Sequence, residues 1–141
     1  MRAIKFRGKK FNNEWVYGSL IIGEHERSID GQKFDVAYIV KNLPCAEEPN
    51  DMWVAKMKRV KVGTIGQFTT LRDKNGKDIY EGDILKVGEE KTLIEVRFVR
   101  GVFAFLWNGD LDDEFPCNAP TQEWAEVVGN IHDNPNMICK R

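Results

Sequence analysis

Residues 62–87, VGTIGQFTTLRDKNGKDIYEGDILKV, hold two chain reversals and one apolar strand with almost no slack between them. Asn75-Gly76 is the strongest local hairpin signal, because a type I′ turn needs positive φ at both central positions and these residue types tolerate it best. Asp73 and Asp78 stand at the shoulders, where short carboxylates accept backbone N–H bonds, and Lys74 and Lys77 point from the tip into solvent. Glu81-Gly82-Asp83 gives a second reversal, of the kind found where a small barrel turns a corner, and feeds directly into Ile84-Leu85-Lys86-Val87. Tyr80 lies between the reversals, its ring placed to pack on the sheet and its hydroxyl to reach water or a partner.

Outward from this stretch, period-two alternation recurs while helical periodicity is hard to find. From Thr92 to Val99, Ile94, Val96 and Phe98 share one face and Glu95 and Arg97 the other, the pattern of a half-buried strand. Val102 to Trp107 is apolar on both faces and must be covered on both. Arg100-Gly101 joins the two runs as a hairpin. With Arg59–Val62, Asp83–Val87 and Glu126–Ile131 these make five short strands, which suggests a small barrel or sandwich. Pro120 to Trp124 reads as one helical turn with Thr121 as its cap.

Upstream, Ala3–Arg7 and Glu14–Ile22 form a candidate strand pair, and Phe34–Val40 and Val54–Val62 carry weaker strand patterns. Asn42–Asp51, with Pro44 and Pro49, reads as a loop. The expected organisation is therefore mainly β: an N-terminal β-rich segment or arm over residues 1–58 and a C-terminal β module over 59–141.

Composition narrows the function classes. The 141 residues are 42% hydrophobic and 30% charged, a globular balance that supports a core without disulfides or metal. A formal charge of −1 gives no global basic field, so any nucleic-acid role needs a local patch. No apolar run approaches a membrane span and Met1–Lys5 opens no signal-peptide core, so a cytoplasmic protein is expected, with no membrane contact. Cys45, Cys117 and Cys139 are scattered; they lack zinc-knuckle spacing and fit reduced thiols.

No catalytic constellation appears. His25 and His132 are far apart, and neither a GxSxG elbow nor an HExxH helix is present. No catalytic residue, metal ligand or cofactor is assigned, and a noncatalytic role is expected. Asp110–Glu114 reads as a solvated acidic loop. The Asp73–Asp78 run fails as a calcium loop, since its glycine is fourth rather than sixth. Gly63 and Gly66 make no phosphate cradle, and Arg100–Phe105 misplaces the aromatics of an RNA-reading strand.

Two groups of residues keep a binding reading. Arg72, Lys74 and Lys77, with the Tyr80 ring, form a candidate partner-binding tip, against the plainer reading of a solvated turn. At the N-terminus, Arg2, Lys5, Arg7, Lys9 and Lys10 lie near Phe6, Phe11 and Trp15, a mixture able to bind single-stranded nucleic acid. Alternation alone also explains it, with Ala3, Lys5 and Arg7 facing solvent and Ile4 and Phe6 facing the core.

Three blocks of the chain resemble the YopX-like proteins of phages and prophages. They are Ile4-Lys5-Phe6-Arg7 leading to Trp15-Val16-Tyr17-Gly18, then Gly66–Ile84, then Glu126-Val127-Val128-Gly129-Asn130-Ile131-His132-Asp133-Asn134-Pro135. The chain departs from the pattern at Phe68, where Tyr is frequent, and at Thr70, where Gly is frequent; Thr at 70 suggests an ordinary extended backbone there. The resemblance implies an SH3-type small barrel in the C-terminal part and an accessory protein working in a bacterial host's cytoplasm. It transfers no catalytic residue. The expected role is a noncatalytic binding or assembly module, a homo-oligomer whose partner is a phage or host protein. The alternative is a nucleic-acid-binding factor acting through the small barrel.

Overall fold

The computed structural model describes residues 2–41, 57–89, 92–110, 114–116 and 120–138. The chain is mainly β with antiparallel sheets, and it divides into two compact units, Ala3–Gln67 and Phe68–Arg141. The Asn42–Asp51 loop and the three cysteines lie outside the described residues.

In the first unit, β1 (Phe6–Lys9), β2 (Trp15–Glu26), β3 (Lys33–Val40) and β4 (Met57–Val60) run in the order β4-β3-β2-β1. The opening residues of β5 (Gly66–Arg72) extend this sheet, with Gly66 opposite Arg7 and Gln67 opposite Phe6. The sheet curls strongly. Although β1 and β4 are not neighbours in the ladder, a Cβ at Gly8 would stand 3.0 Å from the Val60 side chain. Lys61 N donates to Lys9 O at 2.8 Å, and Lys9 N donates to Thr64 Oγ1 at 2.9 Å. Ala37, Ile39 and Val60 fill the interior, packed by Phe6, Val16, Leu20 and Ile65.

This curl explains why β1 begins at Phe6 rather than Ala3. Phe6 and Gly8 take the inward positions, Ile4 is left 59% exposed, and Arg7 is buried with its guanidinium 4.7 Å above the Trp15 ring. The simple alternation of a solvent-facing Arg7 and a core-facing Ile4 therefore does not hold. At the root of β2 the backbone passes so close to Val40 that a Cβ at Gly18 (φ +154°) would meet Val40 O at 2.2 Å. Residues 59–67 belong to this unit because Val60 pairs with Ala37 and is buried beside it.

In the second unit, the rest of β5 pairs with β6 (Asp78–Tyr80) as a hairpin. A five-stranded antiparallel sheet follows in the order β10-β9-β8-β7-β11. Its strands are β7 (Asp83–Val87), β8 (Thr92–Val99), β9 (Val102–Trp107), β10 (Glu114–Pro116) and β11 (Ala125–Asn130). A four-residue helix, α1 (Thr121–Trp124), precedes β11. The described strand order does not close into a ring. One face of the sheet carries Leu85, Ile94, Val96, Phe105 and Ala125, which pack with Ile79 and Leu71 of the hairpin and with Trp124.

The opposite face is buried too, which the alternation in β8 did not indicate. Glu95 is fully buried, paired across strands with Ile84 and Leu106, both also fully buried. Residues 130–138 cover part of this face: the Cβ position at Gly109 (φ +75°) lies 2.7 Å from Ile138 Cγ2 and that at Gly129 lies 3.0 Å from Met137 Sδ. Beneath this cover the Glu95 carboxylate accepts two bonds from Arg97 Nη2, at 2.8 and 2.9 Å. Glu95 is thus a buried carboxylate paired with a partly exposed Arg97, rather than half of a solvent face.

Turn chemistry also differs from the sequence reading. Arg100-Gly101 (φ 48° and 85°) has positive φ at both positions, as a type I′ turn requires, whereas of Asn75-Gly76 only Gly76 (φ 78°) does. There Gly76 N donates to Asp73 O at 3.0 Å and Asp73 N to Lys77 O at 2.8 Å, the pattern of a type I turn closed by a left-handed glycine. Thr70 has φ 71°, not an extended backbone, and β5 shifts register between Phe68 and Arg72 around it. Its neighbour Thr69 is buried and donates to Ile79 O at 2.7 Å, which holds the irregular strand in place.

Candidate binding surfaces

The predicted tip is built around a buried carboxylate. Asp73 is 2% exposed; Oδ1 accepts from Asn75 N and Lys77 N, both at 2.9 Å, and Oδ2 accepts from Val127 N at 3.0 Å. Lys74 N donates to Ala125 O at 2.9 Å and Thr121 Oγ1 donates to Arg72 O at 2.8 Å. Thr121 is therefore the first residue of the helix, not its cap, and its hydroxyl ties the helix to β5.

The four candidate residues do not converge as one basic site. Arg72 Nε is bonded to Asp78 Oδ1 at 2.9 Å, and Lys74 Nζ lies 3.2 Å from Glu126 Oε2. Lys77 is exposed and adds its attraction to the Asp73 carboxylate. Tyr80 is 4% exposed, its ring 5.6 Å from that of Phe68, and its N–H donates to Asp83 Oδ2 at 2.8 Å. Arg72, Lys74 and Lys77 bond through their backbones within the fold and Tyr80 is buried, and the ionic partners of Arg72 and Lys74 leave the tip a mixed-charge surface.

A denser basic surface forms at one end of the first unit. Lys61 pairs its backbone with Lys9, and Lys61 Nζ donates to Asn13 Oδ1 at 2.8 Å in the β1–β2 turn. The Arg59 guanidinium stands 5.5 Å from the centre of the Phe11 ring, and Phe11 is 64% exposed. On β1 and β2, Arg7 and Lys9 lie 4.7 and 5.6 Å from the Trp15 ring. Besides the buried Arg7, residues 7–15 and 57–61 together carry five cations, Lys9, Lys10, Lys58, Arg59 and Lys61, against the single carboxylate of Glu14. That carboxylate is held below its usual pKa by its hydrogen bonds with Lys10 and Asn12 and by the Lys10 charge. Sequence reading found the β1 half of this surface and missed Lys58, Arg59 and Lys61. The signal for them was the MKRVK run itself, but only the curl of the sheet brings it to the β1–β2 turn.

A third surface is the β2–β3 ribbon. Pairing of β1 with β2 ends at Gly18 and pairing of β4 with β3 ends at Ala37, so beyond these points β2 and β3 run on as two strands. Every residue from Ile21 to Asp35 is exposed, including Ile22 at 62% and Ile29 at 96%. The ribbon carries its own ion pair, Lys33–Glu24 at 3.1 Å, and an edge-on His25–Phe34 contact at 5.3 Å.

The family model described as YopX protein matches residues 5–139. The chain belongs to the YopX protein family. Among solved structures, this YopX-family chain is similar to protein EF1440 from Enterococcus faecalis. Identity is 22%, covering 99% of this chain and 100% of the other with a TM-score of 0.52, and the likeness shows a shared fold. It is also similar to protein yopX from Bacillus subtilis, at 17% identity over 100% of this chain and 99% of the other, with a TM-score of 0.48. No curated protein matches the chain. Among the described residues, no helix is long and apolar enough to cross a membrane.

Proposed function

We propose that this YopX-family chain is a noncatalytic assembly module, a phage or prophage accessory protein of the host cytoplasm that associates with further copies of itself through the β2–β3 ribbon. The observation that carries this reading is the unbroken exposure from Ile21 to Asp35 on a strand pair that, among the described residues, is open along both edges. A two-stranded ribbon alone in water is marginally stable, and open edges with apolar side chains favour pairing with another β surface. The ribbon carries Glu24, Glu26, Asp30 and Asp35 against Arg27 and Lys33, a net negative charge that suits a protein surface better than a polyanion. The second unit, read with the resemblance as an SH3-type scaffold, is proposed to serve as the rigid body that such an assembly displays.

The test is the mass of the full chain by light scattering at micromolar concentration, before and after Ile22→Glu with Ile29→Glu. The reading expects a mass of at least two chains that falls to one in the variant. A single-chain mass for the unaltered protein overturns it.

A further inference from the structure

We infer that the curled end of the first unit, where the β1–β2 turn meets β4, is a binding site for single-stranded nucleic acid. The argument begins with charge. A chain whose formal charge is −1 places five cations besides the buried Arg7, and one carboxylate, in fourteen residues drawn from two distant segments, and folding brings those segments together. The contact between the segments is made by the Lys61 N–Lys9 O backbone bond, by the approach of Val60 to Gly8, and by Lys61 Nζ donating to Asn13 Oδ1. A polyanion that meets such a cluster of cations releases its own counterions, which favours binding.

The class of polyanion follows from the aromatics. Phe11 stands 64% exposed in the middle of this surface with the Arg59 guanidinium within cation–π range of its ring. An exposed ring flanked by cations gives an unpaired base a face to stack on while its phosphates meet Lys58, Arg59 and Lys61. Bases within a duplex are already stacked and would leave the ring unused, so single strands are preferred. Trp15 holds one further cation, Lys9, 5.6 Å from its ring on the same strand pair, whereas Arg7, 4.7 Å from that ring, is buried.

The inference stands on residues other than those of the assembly reading, so a single-chain mass in light scattering leaves it untouched. It also differs from a role for the 72–80 tip, whose cations Arg72 and Lys74 are engaged by Asp78 and Glu126.

The experiment is fluorescence anisotropy of the full chain with labelled single strands of DNA and RNA of roughly 16 nucleotides, and with a duplex of equal length. Binding is expected to weaken about twentyfold between about 50 and about 200 mM salt, as for some three phosphate contacts on a single strand. Lys58→Glu with Arg59→Glu is expected to weaken it at least tenfold. Phe11→Ala, which removes an exposed ring, is expected to weaken single-strand binding about tenfold and duplex binding little, with an unchanged thermal melt confirming the fold. Flat titrations at low salt overturn the inference. So does duplex binding as tight as single-strand binding, or an affinity that falls with Arg72→Glu and Lys74→Glu but not with the Lys58 and Arg59 changes.

Discussion

Asp73→Ala is expected to destabilise the second unit by about 2–3 kcal/mol, the cost of removing one acceptor from three part-buried backbone N–H groups. The carboxylate satisfies the N–H groups of Asn75, Lys77 and Val127 at 2.9–3.0 Å, and it is almost completely excluded from water. Two of those donors belong to its own turn and the third to β11, so one side chain both shapes the reversal and fastens it to the sheet. Urea unfolding followed by the fluorescence of Trp107 and Trp124 reports the loss. A change under about 1 kcal/mol would mean that water replaces the carboxylate without penalty.

The same group makes stability pH-dependent with a definite sign. Burial alone would raise the Asp73 pKa, but the N–H bonds from Val127, Lys77 and Asn75 and the charge of Lys77 together hold it below the usual carboxylate range. A folded-state pKa lower than the unfolded value of about 3.9 contributes stability that is fully present above that value. The contribution is lost as pH falls through the folded pKa. Wild-type protein should therefore weaken steadily below about pH 4, and Asp73→Asn should show a shallower acid slope over the same range.

How much of this was legible in the sequence depends on the range of the interaction. β7, β8 and β9 follow from short-range patterning, and their observed bounds, Asp83–Val87, Thr92–Val99 and Val102–Trp107, coincide with the alternating and apolar runs. Asp73 as an acceptor of turn N–H groups was also legible, because an aspartate preceding Asn-Gly has those donors within two to four residues. Its third bond, to Val127, lies fifty-four residues away, and local reasoning has no access to it. That third bond accompanies the turn-type difference: with Asp73 docked on β11 and bonded to Asn75 N, the reversal needs positive φ only at Gly76.

The binding surfaces follow the same division. Lysines at a hairpin tip are visible in sequence, but whether they are available depends on Asp78 and Glu126, which the hairpin and the docking to β11 bring alongside. The run of residues 58–61 lies within the weaker strand pattern of Val54–Val62, which by itself gives no sign of a neighbour. Only the approach of Val60 to Gly8, and with it Lys61 to Lys9, shows that its charges join those of the β1–β2 turn.

Arg97→Met is expected to cost about 3 kcal/mol or more, although the side chain it replaces is itself partly exposed. The reason lies beneath it. Glu95 is fully buried between Ile84 and Leu106, with Gly109 close to one carboxylate oxygen, and Arg97 Nη2 bonds both oxygens. Removing the guanidinium leaves a carboxylate that has been taken out of water without its compensating charge, which costs more than the pair adds to stability when intact. The companion change distinguishes this from lost packing. Glu95→Leu with Arg97→Met puts apolar groups among apolar neighbours and should return to within about 1 kcal/mol of wild type, a favourable coupling of some 2 kcal/mol in a double-mutant cycle by equilibrium unfolding. Additive costs would instead assign the effect to the stem of Arg97 against its neighbours. Met137 and Ile138 contribute apolar cover to the face on which Glu95 lies, Ile138 beside Gly109 and Met137 beside Gly129, so a Glu95 left without Arg97 has apolar neighbours rather than water in reach.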